Sequence, residues 1–153
     1  MGEFAGKDDL EARLRAHVEY LAGTLGERNP RWYANLEKAR RYIERVFVDA
    51  GYDIWHDAYE VSGRTFRNVI AEVPGTNRAG ELLLVGAHYD TAAGTPGADD
   101  NASGVATLLE LAQLVREINP RLTLRWVTFT LEEPPWFRTP HMGSWVHARH
   151  FRA

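Results

Sequence analysis

The run Leu82-Leu83-Leu84-Val85-Gly86-Ala87 constrains this chain more than any other feature. It has no polar face and is too short for an ordinary helix, so it reads as a strand buried on both sides, at the centre of a sheet. After a glycine-rich loop, Ala102 to Ile118 is apolar nearly all round, through Val105, Leu108, Leu109, Ala112 and Val115, and Pro120 stops it. Leu122 to Leu131 then sets Leu124, Trp126, Val127 and Phe129 among threonines, the composition of a second interior strand. Strand, helix and strand in that order predict a βαβ unit with parallel strands and a right-handed crossover.

What precedes the unit is equally patterned. Leu10, Leu14, Val18, Leu21 and Leu25 make one stripe of a helix over Asp9 to Leu25, and Leu36, Ala39, Ile43, Val46 and Phe47 make another over Tyr33 to Ala50. Ile54 to Val61 and Thr65 to Val73, divided by Ser62-Gly63, have the pattern of a hairpin. Met142 to Arg152 begins a further helix. The fold class is therefore α/β: a mixed central sheet with a βαβ core and flanking helices, in one domain over residues 1–153.

Composition narrows the chemistry. Lys plus Arg number 18 against 21 Asp plus Glu, a net charge of -3 with no long block of either sign, which argues against nucleic acid and against a polybasic membrane patch. The chain has no cysteine, so any metal must bind through His, Asp or Glu. The first residues mix charges into apolar positions and no run reaches membrane-spanning length, so the chain as written reads as soluble, without an export signal, and cytoplasmic.

In open α/β sheets ligands gather outside the carboxyl ends of parallel strands. The first strand runs into His88-Tyr89-Asp90-Thr91, the second into Glu132-Glu133, and the loop between them delivers Asp99-Asp100 to the start of the central helix. Alone, a His-x-Asp is ordinarily a solvated pair, and Asp99 or Asn101 suits a helix cap. Together, so many carboxylates at one edge repel one another unless a cation neutralises them, and His with Asp and Glu is a donor set that suits zinc. Asp90 can accept the second imidazole N–H of His88 and fix its tautomer. Of the adjacent glutamates, one can hold metal while the other takes a proton from water.

Leu84-Val85-Gly86-Ala87-His88-Tyr89-Asp90-Thr91, Gly97-Ala98-Asp99-Asp100-Asn101-Ala102-Ser103-Gly104 and Phe129-Thr130-Leu131-Glu132-Glu133 followed by Met142-Gly143-Ser144 resemble, in that order, the di-zinc aminopeptidase family. That family includes bacterial leucyl aminopeptidases, aminopeptidase S and, more distantly, glutaminyl cyclases. The resemblance implies a zinc-exopeptidase (phosphorylase/hydrolase-like) fold, incomplete here, and removal of N-terminal residues from a peptide substrate. It implies His88 as ligand to one zinc, Asp100 bridging two zincs, Glu133 as ligand to the other, Glu132 as general base, Asp90 as the carboxylate behind His88, and a cis peptide between Asp100 and Asn101. Its members are often secreted. Their site also takes a further acidic ligand and a distant histidine from a C-terminal half, so this chain alone is expected to hold two zincs weakly.

His147 and His150, spaced for one helical face, and His141 are candidate substitutes for those ligands, against an ordinary reading as solvated residues near a frayed end. Completion by a second chain or by the missing half, or self-association through a last strand left as an exposed edge, are the partner expectations. They carry an alternative function, a catalytically silent fragment that associates through an unfinished sheet; a further alternative is glutaminyl cyclase-like activity. The stiff loop Pro134-Pro135-Trp136-Phe137-Arg138-Thr139-Pro140 offers Trp136, Phe137 and Arg138 as substrate-binding residues, or simply packs itself against the body. Trp32, Trp55, Trp126 and Trp145 read as core or edge-packing residues, and His17 and His56 as polar surface positions.

Overall fold

Residues 7–150 are described by the computed structural model. β1 (Ile54–Val61) and β2 (Arg64–Val73) form the expected antiparallel hairpin, with Ile54 opposite Ala71 and Val61 opposite Arg64. Its two turn residues, Ser62 and Gly63, both take positive φ, the backbone that lets a two-residue turn follow the strand twist. β3 (Arg78–His88) and β4 (Leu122–Phe129) are parallel, joined through α3 (Gly104–Leu114), and β4 also pairs antiparallel with β2. The result is a mixed four-stranded sheet in the order β1-β2-β4-β3.

The βαβ unit is thus as expected, but its two strands exchange the positions foreseen for them. β4 is the interior strand, bonded on both sides, with Trp126 and Val127 buried. β3 lies at the sheet's edge, and Leu82, Leu83 and Leu84 are 37%, 51% and 37% exposed. The last strand is therefore not the open edge; among the described residues the edges are β1 and β3. An unbroken apolar run indicates that both faces of a strand want cover, and it carries no information about which neighbour supplies that cover.

α1 (Lys7–Val18) continues through wider, π-helical turns from Glu19 to Leu25, where Gly26 at φ +72 turns the chain away. α2 (Tyr33–Asp49) buries Leu36, Ala39, Ile43 and Phe47, the stripe read from sequence. α3 is shorter than foreseen. It packs on β3 and β4 through Val105, Leu108, Leu109 and Ala112, while Leu111 and Leu114 stay exposed. α4 (Gly143–His150) packs on β1 and β2.

Where α1 crosses α3, His17 is buried rather than exposed. Its Nδ1 lies 2.6 Å from the Tyr42 hydroxyl and its Nε2 lies 3.0 Å from Glu110, which also accepts from Arg13 Nε at 2.7 Å. A buried carboxylate without such donors would be costly, so helix packing forces this polar cluster. Trp126 is core, whereas Trp32 and Trp145 are half-exposed, and Trp55 lies under the guanidinium of Arg125 on the sheet surface. No helix among the described residues is long and apolar enough to cross a membrane.

Candidate metal centre

Three side chains from separate segments converge at the carboxyl edge of β3 and β4. One donor atom each from His88, Asp100 and Glu133 lies within 4.8 Å of the others. His88 ends β3, and its Nε2 sits 2.9 Å from Asp100 Oδ1 and 3.9 Å from Glu133 Oε1. Asp100 stands in a kinked turn, Ala98–Ser103, where it and Asn101 leave helical dihedrals, and the Asp100–Asn101 peptide is cis. Gly97 opens that turn at φ +59, and a Cβ there would come 2.5 Å from the Asp100 carbonyl oxygen, so only glycine fits. Asn101 Oδ1 accepts from Gly104 N at 3.1 Å and so caps α3.

Behind the three, Asp90 is 1% exposed. Its Oδ2 accepts from the Glu133 backbone N–H at 3.1 Å, and its Oδ1 lies 3.4 Å from His88 Nδ1, while the Asp90 carbonyl lies 3.2 Å from the same nitrogen. One buried residue thereby orients both neighbours, the imidazole through its carbonyl with its carboxylate charge close behind, and the backbone of Glu133 through that carboxylate.

Glu132 and Glu133 diverge although they are adjacent. Leu131, fully buried, adopts φ +58, an unusual backbone for a bulky residue, and the chain then sends Glu133 toward His88 and Glu132 toward α4. Glu132 Oε1 and Oε2 accept from Ser144 N at 2.6 Å and Ser144 Oγ at 2.8 Å. Burial holds the Glu132 carboxyl above its ordinary range, with the Ser144 hydrogen bonds opposing it. Burial also raises Glu133, reinforced by the charge of Asp100. On His88, burial pulls the imidazole down but the Asp90 hydrogen bond and the charges of Asp90, Asp100 and Glu133 prevail, raising it to about 9. The protein alone thus recruits a proton to a place where negative charge is in excess. A divalent cation satisfies the same demand, and the donor set fits one.

Sequence reasoning missed the residue that shapes the loop beneath this site. Arg28 is fully buried, and its guanidinium donates to the carbonyls of Leu21, Tyr89, Gly26, Pro96 and Gly97 at 2.7 to 3.1 Å. Burial pushes it down to about 10 while Asp90 opposes. A planar fork with several fixed donors can gather so many carbonyls, and no local pattern around Glu27-Arg28-Asn29 announces it.

His147 and His150 do not join the donors. Their Nδ1 atoms lie 2.6 Å and 2.9 Å from Asp57 Oδ2 and Oδ1, and His147 is buried rather than solvated. Trp136 packs partly into the core and stacks edge-on against His141, whereas Phe137 is exposed with Arg138 over its ring. The loop is tied back to the site by Trp136 N and Phe137 N, which both donate to the Glu133 carbonyl.

The family described as Peptidase family M28 matches residues 68–151, which contain every residue of this constellation. The chain belongs to that family. It is 40% identical to the uncharacterised protein YfbL of Escherichia coli strain K12 over 144 residues, 89% of this chain and 44% of that protein. Its fold resembles a glutaminyl cyclase of Macrostomum lignano at TM-score 0.71 and 26% identity, covering 99% of this chain and 50% of that one. It resembles a zinc aminopeptidase from Bacillus subtilis at TM-score 0.71 and 11% identity, covering 77% and 60%. The chain thus spans about half the length of these relatives.

Proposed function

We propose that this chain carries the metal-holding and general-base residues of a zinc-dependent aminopeptidase-type hydrolase. The observation that carries the reading is the meeting of His88, Asp100 and Glu133 within 4.8 Å. As the resemblance implies, His88 with Asp100 would hold one zinc ion and Glu133 with Asp100 another, two protein donors each where a catalytic zinc ordinarily has three. When bound, zinc would supply Lewis acidity, making water more acidic and a peptide carbonyl more electrophilic.

Glu132 then has the proton work. Its carboxylate takes a proton from the attacking water and returns it to the departing amine, and its separation from the donor set by the Leu131 turn leaves it free to do so. Asp90 keeps His88 in the tautomer whose Nε2 faces Asp100. Phe137 and Arg138, exposed beside Glu133, would wall the substrate pocket, with Trp136 anchoring the loop.

The test is zinc titration by competition with a chromophoric chelator, together with hydrolysis of amino-acid p-nitroanilides by wild type and Glu132→Ala. Zinc bound by both and turnover by wild type alone is the expected result; turnover that survives Glu132→Ala overturns the base assignment. Cyclisation of an N-terminal glutaminyl peptide without anilide hydrolysis would move the reading to cyclase chemistry.

A second reading rests on the β3 edge. With Leu82, Leu83 and Leu84 exposed on an edge strand, a silent protein that associates through that edge is the alternative. It requires no bound zinc, no turnover and a concentration-dependent mass in light scattering.

A further inference from the structure

The glutamate read as general base is held by a device that the sequence reading assigned to nothing. Ser144 is the second residue of α4, and it spends two donors on one carboxylate: its backbone N–H on Glu132 Oε1 and its hydroxyl on Oε2. Two hydrogen bonds from one residue to both oxygens fix the carboxylate plane as well as its position, and each oxygen keeps a lone pair for a proton.

The helix that carries Ser144 is itself mounted rigidly. Gly143 N donates to the Thr130 carbonyl at 2.8 Å, two residues before Glu132, so the start of α4 and the end of the β4 segment are stitched together. Asn68, fully buried on β2, accepts from Thr130 N at 3.2 Å and donates to the Gly143 carbonyl at 2.8 Å and to Asp57 at 3.2 Å. A Cβ on Gly143 would meet Asn68 Oδ1 at 2.2 Å and the Thr130 carbonyl at 2.6 Å, so the helix approaches the strand as closely as glycine permits. At the other end of α4, His147 and His150 both engage Asp57 on β1. Two strands therefore hold the helix at both ends.

We infer that Ser144 is a positioning residue for Glu132, and that α4, clamped by Asn68 and Asp57, is the mount that keeps both of its donors aimed at the carboxylate. The inference rests on the hydrolase reading for its catalytic meaning, and on distances alone for its structural meaning, so the two separate experimentally.

The structural arm uses the metal-free protein. In amide hydrogen exchange and proton NMR, Glu132→Ala is expected to shift the Ser144 amide proton upfield and to speed its exchange about tenfold, since a hydrogen bond to a carboxylate is lost. An unmoved Ser144 amide overturns the inference whether or not the protein binds zinc. The functional arm uses the zinc-loaded protein. Ser144→Ala is expected to lower kcat about 10- to 100-fold with KM and zinc affinity within about twofold, and Ser144→Thr, which keeps both donors, to restore most of it. A wild-type kcat in Ser144→Ala overturns the positioning role. A wild type without zinc or turnover sinks the hydrolase reading instead, and leaves the amide measurement to decide the contact.

Discussion

Two clusters in this molecule combine imidazole with carboxylate, and they are built to opposite ends. At Asp57, one buried acid meets three donors, from His147, His150 and Asn68, and its charge is fully answered. At His88, one imidazole faces Asp90, Asp100 and Glu133, and negative charge is in surplus with the Asp100 side chain 71% exposed. Hydrogen bonds hold Asp57 down at about 2 against its burial, whereas burial, and after it the charge of Asp100, push Glu133 up. A satisfied cluster fastens elements together; an unsatisfied one at a surface edge invites a cation. Residue types alone do not separate the two, and the ratio of acids to donors does.

The largest effect that would test this contrast is on stability. Asp57→Ala strands the His147 imidazole and Asn68 inside the protein and releases the exposed His150, and unfolding in urea is expected to reveal a loss of about 3–5 kcal/mol with zinc affinity unchanged in the folded fraction. Glu133→Ala should do the reverse, weakening zinc binding about 100-fold or more by chelator competition while leaving the urea midpoint close to that of wild type or higher, since a repelling charge is removed. Zinc affinity that responds to Asp57 as strongly as to Glu133 would erase the distinction.

Acid sharpens it further. Burial works against ionised Asp57, but hydrogen bonds from His147, Asn68 and His150 outweigh that and lower its carboxyl from 3.8 to about 2. A depressed folded value means the contribution is complete above about pH 4 and fades as the pH falls toward 2. It amounts to at most about 2.5 kcal/mol. Urea midpoints at pH 5 and pH 2.5 are expected to differ more for wild type than for Asp57→Asn; equal differences would show that the carboxylate contributes nothing. Asp90→Asn, which keeps the volume but removes the charge behind His88, should weaken zinc about tenfold.

The smallest effect concerns the open edge. Leu83→Lys should change folding stability by no more than about 0.5 kcal/mol, because Leu83 is already half-exposed. Any concentration-dependent association seen in light scattering should nevertheless disappear, since an edge lysine opposes strand pairing. Association that persists would point away from β3.

How legible each feature was depends on how far its partners lie along the chain. The segments 88–90, 99–100 and 132–133 could be brought together from sequence because a βαβ unit has one handedness and gathers its ligands at one edge, so strand ends and a helix start must meet there, and the resemblance singled out His88, Asp100 and Glu133 among them. The helical stripes and the hairpin were legible for the same local reason, since period and turn chemistry are written within a few residues. Arg28 was not, because its carbonyl partners reach up to 69 positions away and a carbonyl has no sequence signature. Nor was the pairing of His147 with Asp57, 90 positions apart.

The amino-acid order by itself determined the α/β class, the parallel pair with its crossover helix, and which acidic and imidazole-bearing segments meet at its rim, since hydrophobic period and chain chirality act locally. Only the tertiary structure decided that β4 rather than β3 takes the interior, that His17 and His147 are buried, and that Ser144 reaches Glu132. Those outcomes depend on which surfaces meet, and the free energy of that meeting belongs to pairs of distant segments rather than to either segment alone.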